Sequence, residues 1–180
     1  TGSLLFPETS DVVEAVLIPL KPDAGEGEAC TLRPDQNHTK TSVVRVGPTN
    51  PVTFHEIDTG GLAPANRYSL FLATMADEAR LHVCEEDRPI RVFLSGDTIP
   101  VSERQFVSSE IAFDLPPGGV DERYVLEIRQ PAALSIQVNM METGAFHARS
   151  MQRLLVRLFL AGGIITIICY NLVLGWLVGQ

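Results

Sequence analysis

Between residues 41 and 140 the chain alternates apolar and polar positions in short runs. These are TSVVRV (41–46), VTFHEI (52–57), RYSLFLAT (67–74), RLHVC (80–84), IRVFL (90–94), SEIAFDL (109–115), RYVLEIR (123–129) and LSIQVNM (134–140). A period of two places alternate side chains on opposite faces of a strand, so each run predicts a strand with one buried face. The runs stop at turn-forming sequences: GPTNP, DTGG, SGDTIP and Pro116-Pro117-Gly118-Gly119. Many short strands punctuated in this way predict an all-β fold, a jelly-roll-like antiparallel sandwich. DVVEAVLIPL (11–20) adds a further strand, and Pro19 suits an edge because proline cannot donate to a ladder. Nothing before residue 140 repeats at the 3.6-residue period of a helix.

From Thr143 the period changes. TGAFHARSMQRLLVRLFL sets Phe146, Arg149, Arg153 and Arg157 at helical spacing, with Thr143 placed to cap the start. Leu158 to Gln180 then runs without Asp, Glu, Lys or Arg. At about 1.5 Å per residue, those residues reach roughly 34 Å, enough for a bilayer core of about 30 Å. The expected organisation is a β-sandwich over 1–142, a helical stalk over 143–157 and a transmembrane helix over 158–180. No Gly/Ser linker separates sandwich from helix, so the expected joint is rigid. The sequence stops at the edge of the span and is expected to continue beyond it.

Charge sharpens this division. All 22 acidic residues and 11 of the 14 basic ones precede the helix, which leaves the amino-terminal part at −11. Nucleic acid is excluded as a partner, because phosphate binding needs clustered Lys and Arg. The remaining cations, Arg149, Arg153 and Arg157, sit where side chains snorkel to lipid headgroups, with Trp176 an interfacial aromatic at the other end. Within the span, Gly162, Gly163 and Thr166 are small, and Gly175 and Gly179 form a GxxxG pair that allows close helix approach. Asn171 is a polar group in lipid, costly unless bonded, and invites a partner helix.

Candidate chemistry is sparse. No HExxH, GxSxG, P-loop or CxxC occurs, and of the histidines His38, His55, His82 and His147, His55 and His82 alternate within predicted strands and read as surface or packed side chains. Glu85-Glu86-Asp87 is either a hard-cation ligand set or a solvated turn, the turn being the simpler reading. Cys30 and Cys84 are either one disulfide or two buried thiols, depending on the compartment; Cys169 lies in the span. No catalytic, cofactor-binding or metal residue is assigned, and no enzyme activity is expected.

The order of motifs carries a resemblance. Gly96-Asp97 and Ser102-Glu103-Arg104 precede a strand ending in Leu115-Pro116-Pro117-Gly118, and Tyr170-Asn171-Leu172 lies in the span. Residues 90–178 thereby resemble bacterial seven-transmembrane receptors with diverse intracellular signalling modules, in their type 2 extracellular domain and first transmembrane helix. The resemblance implies a periplasmic jelly-roll sensor on the inner membrane that binds a small ligand such as a carbohydrate. It also implies further spans and a cytoplasmic output. A second reading is a single-pass accessory subunit, its helix packed against other spans of a membrane complex. Partners on either reading are membrane lipid and transmembrane helices.

Overall fold

A computed structural model of the chain describes residues 12–21, 29–34, 40–60, 62, 66–74, 76–106, 110–116 and 122–178. Among them are eleven strands: β1 (Val13–Glu14), β2 (Leu17–Lys21), β3 (Arg33–Pro34), β4 (Val43–Val46), β5 (Val52–Ile57), β6 (Tyr68–Leu72), β7 (Glu78–Glu85), β8 (Arg88–Ser95), β9 (Ile111–Leu115), β10 (Arg123–Arg129) and β11 (Leu134–Glu142). One helix follows, α1 (Thr143–Val178), and two short 3-10 turns occupy Ala29–Thr31 and Val101–Glu103. The sequence pattern contains no helical signal for those two turns, because one turn is too short to establish a period.

The strands form two antiparallel sheets. One has the order β3-β2-β5-β10-β7-β8; in the other β1, β11, β6 and β9 lie in that order and β4 also pairs with β11. From β4 onward the chain changes sheet at almost every step, and β7–β8 is the hairpin that stays within one. The two inner faces enclose a single core. The larger sheet contributes Leu17, Ile57, Leu81, Val83, Tyr124, Leu126 and Ile128; the other contributes Val44, Leu70, Leu72, Ile111, Phe113, Ile136, Val138 and Met140. In most runs every second residue enters this core, which is the pattern that predicted it, while β8 keeps Ile90 and Val92 exposed. The fold is an antiparallel β-sandwich followed by one long apolar helix.

Pro19 is not on an edge strand, since β2 lies between β3 and β5. Leu17 donates its N–H to Thr41 O on the side away from β5. Two residues on, the Pro19 nitrogen points the same way, toward a flank where β3 pairs only from Leu20. The missing donor therefore costs no ladder bond.

The outer face of the six-stranded sheet carries a second, smaller cluster. Leu20, Ala29, Cys30, Leu32, Cys84 and Val125 pack there with Phe54. Cys30 and Cys84 are joined by a disulfide, Cα–Cα 5.6 Å, which fixes the Ala29–Thr31 turn to β7.

The chain divides into two compact units after Thr143. The second, Gly144 onward, is the body of α1, which runs unbroken through the expected stalk and span. It is long and apolar enough to cross a membrane.

Candidate functional site

Alternation on β7 and β10 sends Arg80, His82, Glu127 and Arg129 to the outer face of the larger sheet, beside the half covered by the disulfide turn. Cross-strand registry pairs Glu127 with Arg80 and Arg129 with Glu78. Glu127 is almost fully buried and accepts two charge-assisted hydrogen bonds, from Arg129 Nε at 2.6 Å and against His82 Nε2 at 2.8 Å. Burial alone would raise its carboxyl, but the bonds from His82 and Arg129 hold it below the usual carboxylate range. Arg80 pairs with Glu78 on the same strand. Neighbouring β8 presents Val92 opposite His82 and Leu94 opposite Arg80, and Ile90 and Val92 are each nearly half exposed. The result is an apolar rib beside a fixed row of guanidinium and imidazole groups. Such a shelf can bind a small polar molecule with one apolar face, through the guanidinium donors not used on Glu78 and Glu127.

A second charge cluster is structural. Arg123 reaches Glu56 Oε2 at 2.9 Å and the Leu32 and Cys30 carbonyls at 3.1 and 3.3 Å, and it approaches Asp87 at 3.4 Å. Arg33 grips both oxygens of Asp87, at 3.0 and 2.6 Å. The acidic run Glu85-Glu86-Asp87 thus forms the β7–β8 hairpin tip, with Glu86 and Asp87 both at positive φ, and Asp87 holds arginines. Among the described residues no group of His, Cys, Asp and Glu is arranged for a metal ion.

The sequence motifs prove to be connections. Gly96 ends β8 with φ +139°, and a Cβ there would lie 2.4 Å from Asp77 O. Asp97 and Thr98 donate backbone N–H bonds to Ala76 O and Asp77 O. Arg104 closes the segment through its Nε bond to Ile99 O and a parallel bridge to Leu94. Tyr124 Oη lies 2.9 Å from Pro116 O, tying the Leu115-Pro116 turn to β10. Burial first, and Glu122 second, raise that phenol above its ordinary range. Pro117, Gly118, His38 and Gly179 lie outside the described residues.

The geometry of sheets and turns agrees with a match along the sequence: residues 56–142 fit the family model described as 7TMR-DISM extracellular 2. The matched domain belongs to that family. No curated protein matches the chain. The extracellular 2 domain ends at Glu142, the last residue of β11, and α1 starts at the next residue. An outward-facing receptor domain followed by a helix long and apolar enough to cross a membrane is the organisation this gives.

The five expected packing residues that lie on α1, Gly162, Gly163, Thr166, Asn171 and Gly175, do not form one stripe. Gly162 and Thr166 are one turn apart, as are Asn171 and Gly175, but Gly162 and Asn171 are nine residues apart, which is about two and a half turns. The pairs therefore occupy opposite sides of the helix. No side chain fills the space beside Gly162, Gly163 or Gly175. Thr166 donates to Gly162 O at 2.8 Å and Asn171 Nδ2 to Ile167 O at 2.9 Å, so each polar group is partly satisfied by its own helix. Arg149, Arg153 and Arg157 are spaced four apart on the first half of α1, and Trp176 lies in its last turn. The outer-face shelf went unread in the sequence because alternation alone does not say which outward residues meet.

Proposed function

We propose that the sandwich is the ligand-binding sensory module of a signalling receptor in the bacterial inner membrane. It faces the periplasm, and α1 is the first of the spans that the seven-transmembrane name implies. One observation carries this reading: the extracellular 2 match runs to the end of β11, and the apolar helix follows without an intervening residue. The shelf of Ile90, Val92 and Leu94 beside Arg80, His82 and Arg129 is the ligand surface, suited to a carbohydrate that lays an apolar face on the rib. We infer that α1 contacts neighbouring helices on two sides, through Gly162–Thr166 and through Asn171–Gly175. Arg149, Arg153 and Arg157 meet lipid headgroups on one side and Trp176 the interface on the other.

Two measurements test the reading. Ser102, exposed in the Val101–Glu103 turn, is replaced by Cys, and intact spheroplasts are treated with a membrane-impermeant maleimide. Labelling without lysis is expected; labelling only after lysis rejects the outward orientation. A panel of neutral and acidic sugars is then screened by thermal shift on the detergent-solubilised chain. A stabilising sugar whose effect is lost in Arg129→Ala supports the shelf, and the absence of any stabilising sugar rejects carbohydrate as the ligand.

A further inference from the structure

The last residue of the sandwich is fastened more elaborately than a chain exit requires. Thr143 donates its backbone N–H to Arg67 O at 2.9 Å. Its hydroxyl accepts from Ser69 Oγ at 3.1 Å and donates to Asp114 Oδ1 at 3.0 Å. Ser69 is fully buried on β6, and Asp114 on β9 is held in turn by Arg67 Nη2 at 3.2 Å and by its own N–H bond to Gln105 Oε1 at 2.8 Å. One residue earlier, Glu142 accepts from Asn66 Nδ2 at 2.6 Å. Registry sets Tyr68 opposite both Glu142 and Leu115, so the two central strands of the smaller sheet converge on this point. The hydroxyl therefore bonds across strands, where a helix cap would have bonded the N–H groups of its own first turn.

We propose that Thr143 is a positioning residue whose hydroxyl clamps the exit of β11 to β6 and β9, so that a rearrangement of those strands is felt at the residue where the sandwich ends. The clamp uses a hydroxyl held by a buried serine on one strand and a carboxylate on the next. Displacing either strand breaks a specific bond, whereas an unclamped chain would absorb the displacement in its backbone. The signalling purpose rests on the receptor reading above; the clamp itself does not.

Hydrogen exchange of the full chain in lipid nanodiscs, read by mass spectrometry, tests it independently of ligand, orientation and output. Thr143→Val keeps shape and β-branching, hence nearly the same helix propensity, and removes only the hydroxyl. Exchange in peptides covering 140–148 is expected to rise about tenfold, with β5 and β10 unchanged, since losing the hydroxyl removes the acceptor of the buried Ser69 hydroxyl and the donor to Asp114 Oδ1. Thr143→Ser is expected to restore protection. Ser69→Ala, which deletes one donor with little change of volume, should give a smaller rise confined to the same peptides. Equal exchange in wild type and Thr143→Val overturns the clamp. So does a uniform rise across all strands, which would mark Thr143 as a general stability residue, or a failure of Ser to rescue.

Discussion

His55 gives the sandwich a built-in sensitivity to acid. It lies on the inner face of β5, opposite Leu126 on β10 and Pro19 on β2, and its Nδ1 has no hydrogen-bond partner. Thr53, two residues away on the same face, has an unpartnered hydroxyl as well. Burial lowers the His55 pKa from 6.5 to about 4. The neutral imidazole is the form that folds, so between those values the unfolded chain binds the extra proton and stability falls as pH drops. Each pH unit separating the folded and unfolded pKa values is worth about 1.36 kcal/mol, so the loss should reach about 2 kcal/mol at pH 5 and about 3 kcal/mol by pH 4. At an ordinary urea slope, the pH 5 loss lowers the unfolding midpoint by roughly 1 M.

The assay is urea unfolding of the full chain in detergent at pH 7.5, 6.0 and 5.0, read by the near-ultraviolet circular dichroism of its tyrosines. Wild type should weaken steadily through that window. His55→Leu removes both the titration and the buried orphan, and should have a nearly flat midpoint from pH 7.5 to 5.0 without losing stability at pH 7.5. Glu127 also contributes, with the opposite starting point. Its depressed carboxyl stabilises the fold above its unfolded pKa and is lost as pH falls through the folded one, below the window of the assay. Parallel pH dependence in wild type and His55→Leu would refute the argument.

Other substitutions probe the frame of the site. Gly96→Ala should destabilise by more than about 2 kcal/mol, because the φ of +139° is foreign to L side chains and the new Cβ would press on the Asp77 carbonyl; a thermal melt within a degree or two of wild type would contradict this. Converting Cys30 and Cys84 to Ala releases a cross-link spanning 54 residues, worth about 4 kcal/mol by loop entropy, and chemical denaturation should show the loss. Glu86→Asn should stabilise by about 0.5–1 kcal/mol, because Glu86 and Asp87 both hold positive φ in a two-residue hairpin where Asn is favoured; an unchanged or lowered urea midpoint would count against it.

The sandwich was legible because its code is local. VTFHEI and RYVLEIR became β5 and β10 over the same residues, and alternation sent their buried halves to the core. What the sequence hid was pairing. Consecutive strands mostly lie in different sheets, so Glu127, bonded to Arg129 on its own strand, meets His82 through a registry that no single run encodes. The disulfide remained an open choice for the same reason: Cys30 reaches Cys84 only because a 3-10 turn lies on the outer face of the sheet. The resemblance motifs were legible as a sequence of landmarks, but Gly96, Arg104 and Tyr124 turn out to hold connections between strands.

The span shows a related limit. Asn171 suggests a partner because an unbonded amide is expensive in lipid, yet its Nδ2 is bonded to Ile167 O within the same helix. That bond satisfies one donor and leaves the amide oxygen and a second N–H to face outward. The polar drive toward association is therefore reduced rather than removed. Thr166 has already used its donor on Gly162 O, so that seam can gain mainly from close packing beside Gly162 and Gly163. The two seams differ in kind as well as in side, one packing and one hydrogen-bonding. On the proposed reading, the two faces of α1 would therefore meet different neighbours, one by close packing and one by hydrogen bonding.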